Sequence, residues 1–161
     1  MPRVFVSIGS NIDREKNVRR AIEQLSREFG DVIVSPVYDS AAAGFPGQSF
    51  LNLVVGFDTA FGVGSIRKIL RQIEDTQGRV RDGTTKFSSR TLDLDLILYG
   101  DTVDPTMGLP HPDILNYAFV LKPLADLAPH AAHPVVAETY IDLWRRRFPD
   151  GGALTRVALA D

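Results

Sequence analysis

Two aspartates alternate with leucines in the stretch SSRTLDLDLILYG, residues 88–100. Alternate side chains of a strand share a face, and like charges on neighbouring same-face positions repel. The predicted faces hold Leu92, Leu94, Leu96 and Leu98 on one side, and Asp93, Asp95, Ile97 and Tyr99 on the other. Successive same-face residues lie about 6.5 Å apart, which allows two carboxylates to share or flank metal ions. The pair therefore predicts either a solvated strand face or a cation site.

A basic segment leads directly into this strand. The stretch QGRVRDGTTKFSSRT, residues 77–91, holds four cations in twelve residues, namely Arg79, Arg81, Lys86 and Arg90. Its glycines, serines and threonines predict a mobile loop rather than a packed element. Arginine suits phosphate oxygens and magnesium prefers carboxylate oxygens, so the two stretches together suit a metal–nucleotide complex. Each stretch alone has a plainer interpretation, as an amphipathic edge strand or a solvated loop, and their adjacency favours a site.

Composition narrows the class of protein. The chain has 161 residues, 44% of them hydrophobic and 24% charged, which is typical of one soluble globular domain spanning residues 1–161. A net charge of -2 gives no support for binding nucleic acid or an anionic membrane. The absence of cysteine excludes disulfides and thiolate metal sites. Because no segment resembles a signal peptide, a membrane span or a P-loop, we expect a cytoplasmic enzyme or binding protein.

The hydrophobic pattern predicts the elements that position these residues. Strands are expected over Val4–Ile8, Val32–Tyr38, Phe50–Asp58 and the two-aspartate stretch, with helices over 14–29 and 64–76 and a loop over 39–48. The order β-α-β-β-α-β is the ferredoxin-like pattern, an α+β fold with an antiparallel sheet and helices on one face. Additional helices are expected over 121–127 and 138–148, followed by an apolar tail over 153–159.

Three motifs resemble those of the 6-hydroxymethyl-7,8-dihydropterin pyrophosphokinase family. They are R-T-L-D-L-D at residues 90–95, G-R-V-R upstream of it, and G-S-N after the first strand. The resemblance runs from residue 4 to about residue 127, and R-T-L-D-L-D is highly specific to the family. It implies a ferredoxin-like α+β fold and transfer of diphosphate from ATP to a pterin alcohol, releasing AMP, in folate biosynthesis. It also implies two magnesium ions, small-molecule substrates, and other folate-pathway enzymes as candidate partners.

The resemblance further implies roles for individual residues. Asp93 and Asp95 would hold the magnesium ions, and Arg79 and Arg90 would neutralise the transferring diphosphate. The resemblance singles out no general base; Asp95, at the metal site, is our own candidate. The residues implied at the nucleotide are Glu74, Arg81, Leu96, His111 and Tyr117. Those implied at the pterin are Ser40, Ala41, Ala43, Phe50, Asn52 and Phe119. Asn52 would pair with the polar edge of the pterin ring, and the two phenylalanines match positions around that ring.

Several of these residues also have plainer interpretations. Phe50 and Phe119 fit ordinary core positions, and His111 fits a rigid turn between two prolines. Asn52 is harder to explain in that way, because a buried amide in mid-strand must find hydrogen-bond partners. The pair His130 and His133 favours a polar loop over a metal site.

The chain departs from the family pattern at four places. Ser88 and Ser89 stand where a glycine–proline pair is usual, and Phe87 precedes them where a tryptophan or a polar residue is usual. Ser40 to Ala42 replaces a proline-containing loop motif. Tyr117 stands where an arginine usually reaches the nucleotide, and losing such a contact costs about 1.5–3 kcal/mol. The altered loop and Tyr117 leave open a paralogue that acts on a different pterin-like alcohol.

A second alternative is a non-catalytic ferredoxin-like module that binds a nucleotide or RNA. It is disfavoured because the sequence lacks the exposed strand aromatics of RNA-recognition sheets. In addition, the two aspartates would repel phosphate in the absence of metal.

Overall fold

The computed structural model describes residues 1–40, 49–77 and 92–159. Within these ranges the strands are β1 (Arg3–Ser10), β2 (Ile33–Val34), β3 (Val37–Ser40), β4 (Phe50–Asp58), β5 (Asp93–Tyr99) and β6 (Leu154–Val157). The helices are α1 (Arg14–Phe29), α2 (Val63–Thr76), α3 (Asp113–Asn116), α4 (Ala118–Leu127) and α5 (Tyr140–Arg147), with a 3-10 turn at Pro105–Met107. In the described part of the chain, no helix is long and apolar enough to cross a membrane.

The strands form one antiparallel sheet in the order β5-β1-β4-β3-β6, and β2 also pairs with β4. The sheet and its helices confirm the predicted α+β class. Gly9 of β1 lies opposite Asn52 of β4 on one side and opposite Asp93 of β5 on the other. Directly opposed residues of antiparallel strands share a face, so Asp93 and Asn52 project from the same face of the sheet.

The helices lie on both faces of this sheet. On one face α1 and α2 cover a core that includes Val6, Leu25, Leu53, Ile66 and Leu94. On the other face α4 and α5 cover a second core that includes Val54, Ile97, Leu121, Leu124 and Tyr140. Each fully buried large aliphatic side chain contributes about 1.5–3 kcal/mol, so both layers stabilise the sheet substantially. The additional C-terminal helices that the sequence predicts therefore occupy the face opposite α1 and α2.

Local sequence explains why α1 forms where it does. Its buried residues include Val18, Ala21 and Leu25, which recur at helical spacing. Glu15 in the first turn and Arg27 in the last turn complement the helix dipole. Gly30 ends the helix with a φ of +82°, a conformation that favours glycine. The predicted bounds of this helix, and of the strand over 50–58, coincide with those of α1 and β4.

The predicted faces of β5 are wrong at its C-terminal end. Phe5 pairs with Leu98 and the next residue, Val6, pairs with Leu96, so Ile97 is an extra residue in a β-bulge. The bulge places Ile97 and Leu98 together in the core under α4, and Tyr99 packs against the core under α1 and α2. Asp93 and Asp95 precede the bulge and keep the predicted common face.

Other expected elements differ in their bounds. The strand predicted over residues 32–38 divides into β2 and β3 at Ser35 and Pro36. Pro36 has no backbone N–H to donate to a neighbouring strand. The Ser35 N–H donates to the Val54 carbonyl, and the Ser35 hydroxyl oxygen accepts from the Val54 N–H. The apolar tail expected over 153–159 forms an edge strand, β6, and the helix expected from residue 138 begins at Tyr140 after the capping residue Thr139. The 3-10 turn and α3 are too short for the periodicity of the sequence to indicate them.

Candidate active site

One row of the sheet carries polar side chains on the face that α4 covers. Asp93, Gly9 and Asn52 lie side by side on β5, β1 and β4, and Asp95 follows Asp93 on the same face. Asp93 is half-buried and Asp95 is exposed. A Cβ at Gly9 would lie 3.2 Å from Asn52 Oδ1, closer than most side-chain contacts. Glycine therefore leaves room for the Asn52 amide, and for the Phe50 ring with its Cδ1 at 3.8 Å from the same point, to lie over β1.

The Asn52 amide is buried and fixed by its neighbours. Its side chain is 5% exposed, and its Nδ2 donates a hydrogen bond to Ser40 Oγ at 2.7 Å. Ser40 is paired with Phe50 across β3 and β4, so these three residues of the predicted pterin set lie together on one face. The predicted need for partners at Asn52 is met by this bond to Ser40.

A cavity of about 310 Å³ opens at the β5 edge of the sheet, between β5, α2 and the turn at His111. It is lined by Arg67, Leu70, Arg71, Glu74, Leu94, Asp95, Leu96 and His111. Four of these residues, Glu74, Asp95, Leu96 and His111, belong to the predicted site. The cavity therefore brings together most of the described residues that were assigned to the nucleotide, with one carboxylate of the pair.

Hydrogen bonds fix two of the cavity walls. The Glu74 carboxylate accepts a hydrogen bond from the backbone N–H of Leu94 at 2.9 Å, which ties α2 to β5. The His111 backbone N–H donates to the Ile97 carbonyl at 3.0 Å, and His111 Nδ1 accepts from the Asp113 N–H at 3.1 Å. With Nδ1 accepting, the neutral imidazole carries its proton on Nε2 and can donate there to a ligand.

Two arginines in the cavity wall are absent from the predicted site. Arg67 and Arg71 lie on α2, and the guanidinium of Arg67 also donates to the Met107 carbonyl. With Glu74 they occupy positions i, i+4 and i+7 of one helix, and residues at that spacing share a face. That spacing was the signal in the sequence that could have indicated them. Their positive charges suit the phosphates of a nucleotide.

The aromatic residues of the predicted site come from the start of α4 and the start of β4. Phe119 is half-buried in the first turn of α4, and its ring stacks on that of Tyr117 with centroids 4.9 Å apart. Phe50 is half-buried at the start of β4. Tyr117 is 46% exposed and so presents its ring to solvent beside Phe119.

Several predicted residues lie outside the described residues. These are Arg79, Arg81, Arg90, Ala41 and Ala43, together with Ser88, Ser89 and the other residues of 41–48 and 78–91; Asp39 and Ser40, which were expected in a loop, are the last residues of β3. Of the histidine pair, His133 is buried and its Nδ1 accepts from the N–H groups of Val135 and Val136. These bonds agree with the polar-loop interpretation of His133.

The donor set at β5 fits magnesium. Among the described residues, no group of three or more His, Asp or Glu side chains could hold a metal ion. Asp93 and Asp95 would offer such an ion two carboxylates. Magnesium is usually bound in this way, by one or two carboxylates together with substrate phosphates and water.

Comparison with known proteins identifies the family. Residues 5–129 match the family described as 7,8-dihydro-6-hydroxymethylpterin-pyrophosphokinase (HPPK). The chain belongs to the HPPK family. This confirms the resemblance found in the sequence, and membership in a family of pyrophosphokinases supports an enzyme over a non-catalytic binding module.

Individual HPPK relatives cover most of the chain. A 2-amino-4-hydroxy-6-hydroxymethyldihydropteridine pyrophosphokinase of Pseudomonas aeruginosa is 39% identical over 138 residues, covering 82% of this chain and 84% of the relative. The protein of the same name from Aquifex aeolicus is 32% identical over 139 residues, covering 84% and 86%.

A solved structure supports the fold. The Plasmodium falciparum HPPK-DHPS structure has a TM-score of 0.75 with 13% identity, and the match covers 97% of this chain and 47% of that one. The chain thus spans about half the length of this longer protein, and at that identity the likeness concerns the fold alone.

Proposed function

We propose that the chain transfers a diphosphate from ATP to 6-hydroxymethyl-7,8-dihydropterin, with release of AMP, in folate biosynthesis. Membership in the HPPK family supports the reaction. The observation that carries the proposal is the row Asp93–Gly9–Asn52, which places a carboxylate and a buried amide on one face of the sheet, two strands apart.

The spacing of the strands supports a pterin as the substrate along this row. Neighbouring strands lie about 4.8 Å apart, so about 9.5 Å separates the strand of Asp93 from that of Asn52. A pterin has an amide-like edge at one end of a flat bicycle and its hydroxymethyl group at the other. Asn52 would pair with that edge, since its amide both donates and accepts, and the hydroxymethyl group would then point towards Asp93. Gly9 would form the flat floor between them.

The nucleotide would occupy the cavity beside β5. Arg67, Arg71 and the His111 imidazole offer donors to its phosphates, and Asp95 lies at the boundary between the cavity and the pterin row. Arg81, Glu74, Leu96 and Tyr117 complete the proposed nucleotide set. Two magnesium ions, when held by Asp93 and Asp95, supply positive charge that offsets the charge of the transferring phosphates.

The transfer is a single displacement at phosphorus. The hydroxymethyl oxygen attacks the β-phosphorus of ATP, the bond from that phosphorus to the oxygen shared with the α-phosphorus breaks, and AMP leaves. The proton of the alcohol passes to Asp95, our candidate base. Arg79 and Arg90 would neutralise charge on the diphosphate, because positioning and charge neutralisation dominate catalysis of phosphoryl transfer.

The deciding experiment measures the nucleotide product. Incubation with ATP, magnesium and 6-hydroxymethyl-7,8-dihydropterin should yield AMP and the pterin diphosphate, whereas ADP as the sole product would refute diphosphate transfer. Asp93→Asn and Asp95→Asn keep the size of the side chain and should each lower kcat by at least about a hundredfold, as loss of a main electrostatic contact does. Asp31→Asn removes an exposed carboxylate from the turn after α1 and should leave turnover unchanged.

A second candidate is the same transfer to a different pterin-like alcohol. The stacking of Tyr117 on Phe119 favours it, because this pair adds aromatic surface where the family usually has an arginine. Comparing kcat/KM for several pterin alcohols distinguishes the two candidates. A higher value for an alcohol with a bulkier ring substituent would favour the second.

Three finer assignments accompany the proposal. If β2 and β3 count as one interrupted strand, the element order is β-α-β-β-α-β and the first four strands are arranged 4-1-3-2, which supports a ferredoxin-like topology with β6 added at the edge. ATP as the donor supports a cytoplasmic reaction. Relatives named folic acid synthesis proteins and HPPK-DHPS are longer than this chain, which supports other folate-pathway enzymes as partners.

A further inference from the structure

The side chain of Arg14 joins the ends of two neighbouring strands. Its Nη1 donates to Asp39 Oδ2 at 3.1 Å, to the Ser49 carbonyl at 3.0 Å and to Ser49 Oγ at 2.9 Å. Asp39 lies near the C-terminal end of β3, and Ser49 immediately precedes β4. One guanidinium nitrogen therefore holds the point where β3 ends and β4 begins.

This contact lies behind the proposed pterin site. Asp39 is paired with Leu51, which belongs to the core under α1 and α2, so Asp39 faces α1. The next pair, Ser40 and Phe50, faces the opposite side together with Asn52. Arg14 thus fixes, from the α1 side, the backbone that presents three of the proposed substrate residues on the α4 side.

The contact between Arg14 and Asp39 is strong enough to fix the position of the end of β3. The Arg14 and Asp39 side chains are each only 28% exposed, so water screens their attraction less than it screens a surface pair. The bond from Ser40 Oγ to the Asn52 amide depends on the register of the same two strands. A shift of the β3 end would therefore move the hydroxyl that orients the amide.

We propose that Arg14 is a positioning residue for pterin binding, acting through Asp39 and Ser49 on Ser40, Phe50 and Asn52. The inference rests on the proposed function. It assigns to the start of α1 a role in substrate affinity, although Arg14 itself would touch neither the pterin nor the reacting atoms.

The test separates the affinities for the two substrates. Arg14→Met keeps an unbranched stem and removes the guanidinium with its donors, and it should raise the KM for the pterin alcohol about tenfold, equivalent to about 1.4 kcal/mol. The KM for ATP should change less than about twofold, because the cavity beside β5 contains none of these residues. Asp39→Asn removes the partner charge and should shift the pterin KM in the same direction by a smaller factor.

Two further variants control the result. Arg14→Lys keeps a positive charge and N–H donors on its terminal nitrogen and should restore the pterin KM to within about threefold of the wild type. Arg19→Met removes an exposed guanidinium from the same helix, where Arg19 lies 3.7 Å from Glu15, and should leave both KM values unchanged.

The outcomes distinguish this inference from the proposed function. An unchanged pterin KM in folded Arg14→Met, or equal rises in both KM values, overturns the inference while the activity stands. If the wild type forms no AMP, the proposed function fails. The inference is then tested by calorimetric binding of the pterin alcohol with a non-hydrolysable ATP analogue, and equal affinities of wild type and Arg14→Met overturn it there too.

Discussion

A partly buried hydrogen bond between Tyr38 and Asp126 anchors α4 to the sheet. Tyr38 follows Asn52 in the polar row, is 6% exposed, and donates its hydroxyl proton to Asp126 Oδ2. The other carboxylate oxygen of Asp126 accepts from Lys122 Nζ at 2.8 Å. Because α4 also carries Phe119, we expect Tyr38→Phe to loosen both the fold and one wall of the proposed pterin site.

The structure sets the expected magnitude. A hydrogen bond to a charged group contributes about 1.5–3 kcal/mol, and the ring packing stays intact when only the hydroxyl is lost. Asp126 keeps its bond to Lys122 and is 20% exposed, so water recovers part of the loss. We therefore expect Tyr38→Phe to lower the free energy of unfolding by about 1–2 kcal/mol, or the Tm by about 2–8 °C in a chain of this size. Asp126→Ala should cost more, about 2–3 kcal/mol, because it leaves a buried hydroxyl without its acceptor.

Urea unfolding at pH 7 of wild type, both single variants and the double variant measures the coupling. The double variant should be about as stable as Asp126→Ala alone, whereas additivity within about 0.3 kcal/mol would refute the bond as a stabilising contact. Tyr99→Phe is the matched control, since its hydroxyl donates to the Phe61 carbonyl at an exposed position and should matter by less than about 0.5 kcal/mol.

The same bond predicts the response to alkaline pH. Burial first, and then the Asp126 carboxylate, raise the pKa of Tyr38 above its ordinary value of 10. As the pH rises, the Tyr38 hydroxyl therefore loses its proton in the unfolded chain before it does so in the folded chain. The contribution of this hydroxyl to the free energy of unfolding is thus complete below pH 10 and falls as the pH rises above that value. Tyr38→Phe should show a smaller loss of stability between pH 9 and pH 11 than the wild type, and an equal loss would contradict the assignment.

Three further predictions concern other regions. Burial lowers the pKa of His133 below its ordinary value of 6.5. The contribution of the neutral imidazole to the free energy of unfolding should therefore be complete above about pH 6.5 and be lost as the pH decreases below it. Urea titrations at pH 5 and 7.5 should show a smaller pH dependence of stability for His133→Gln than for the wild type. Gly152 has a φ of +64°, and a Cβ there would lie 2.4 Å from the Ala118 Cβ. Gly152→Ala should therefore cost at least about 1 kcal/mol in thermal unfolding, and an unchanged Tm would contradict the contact. Tyr117→Arg should tighten magnesium-ATP binding by about threefold or more at low salt and by less at high salt, with little change in the affinity for the pterin. If calorimetry shows no gain in the affinity for magnesium-ATP, a site rebuilt around the tyrosine is favoured.

The sequence predicted most of the fold because its periodicity is clear in the long elements. The apolar spacing in α1 and the apolar run of β4 gave their correct bounds, since α1 buries one face and β4 is buried on both faces. The split at Pro36 and the bulge at Ile97 depend on which backbone groups find partners across the sheet, and the order of residues alone does not specify this. The four residues of β6 are too few for their hydrophobic pattern to distinguish a strand from an apolar tail.

Some residues of the proposed site can likewise be predicted from the sequence, and others cannot. The aspartate pair stands out because its charges conflict with strand stability, and Asn52 stands out because a mid-strand amide needs partners. Arg67 and Arg71 were overlooked because arginines on an amphipathic helix are usually solvated. Only the position of α2 beside the β5 edge turns that helix face into a cavity wall.

The bulge at Ile97 gives β5 one position at which its length can change. Removing a residue elsewhere in an alternating strand would turn every later side chain over to the wrong face. Removing Ile97 would instead leave Leu96 opposite Val6 and Leu98 opposite Phe5, as they are now. A deletion there would cost packing under α4 but preserve the orientation of both carboxylates. Ile97 is therefore the position in β5 at which a one-residue deletion would be tolerated during evolution. In a scan of single-residue deletions along the strand, the variant lacking Ile97 should retain the most activity.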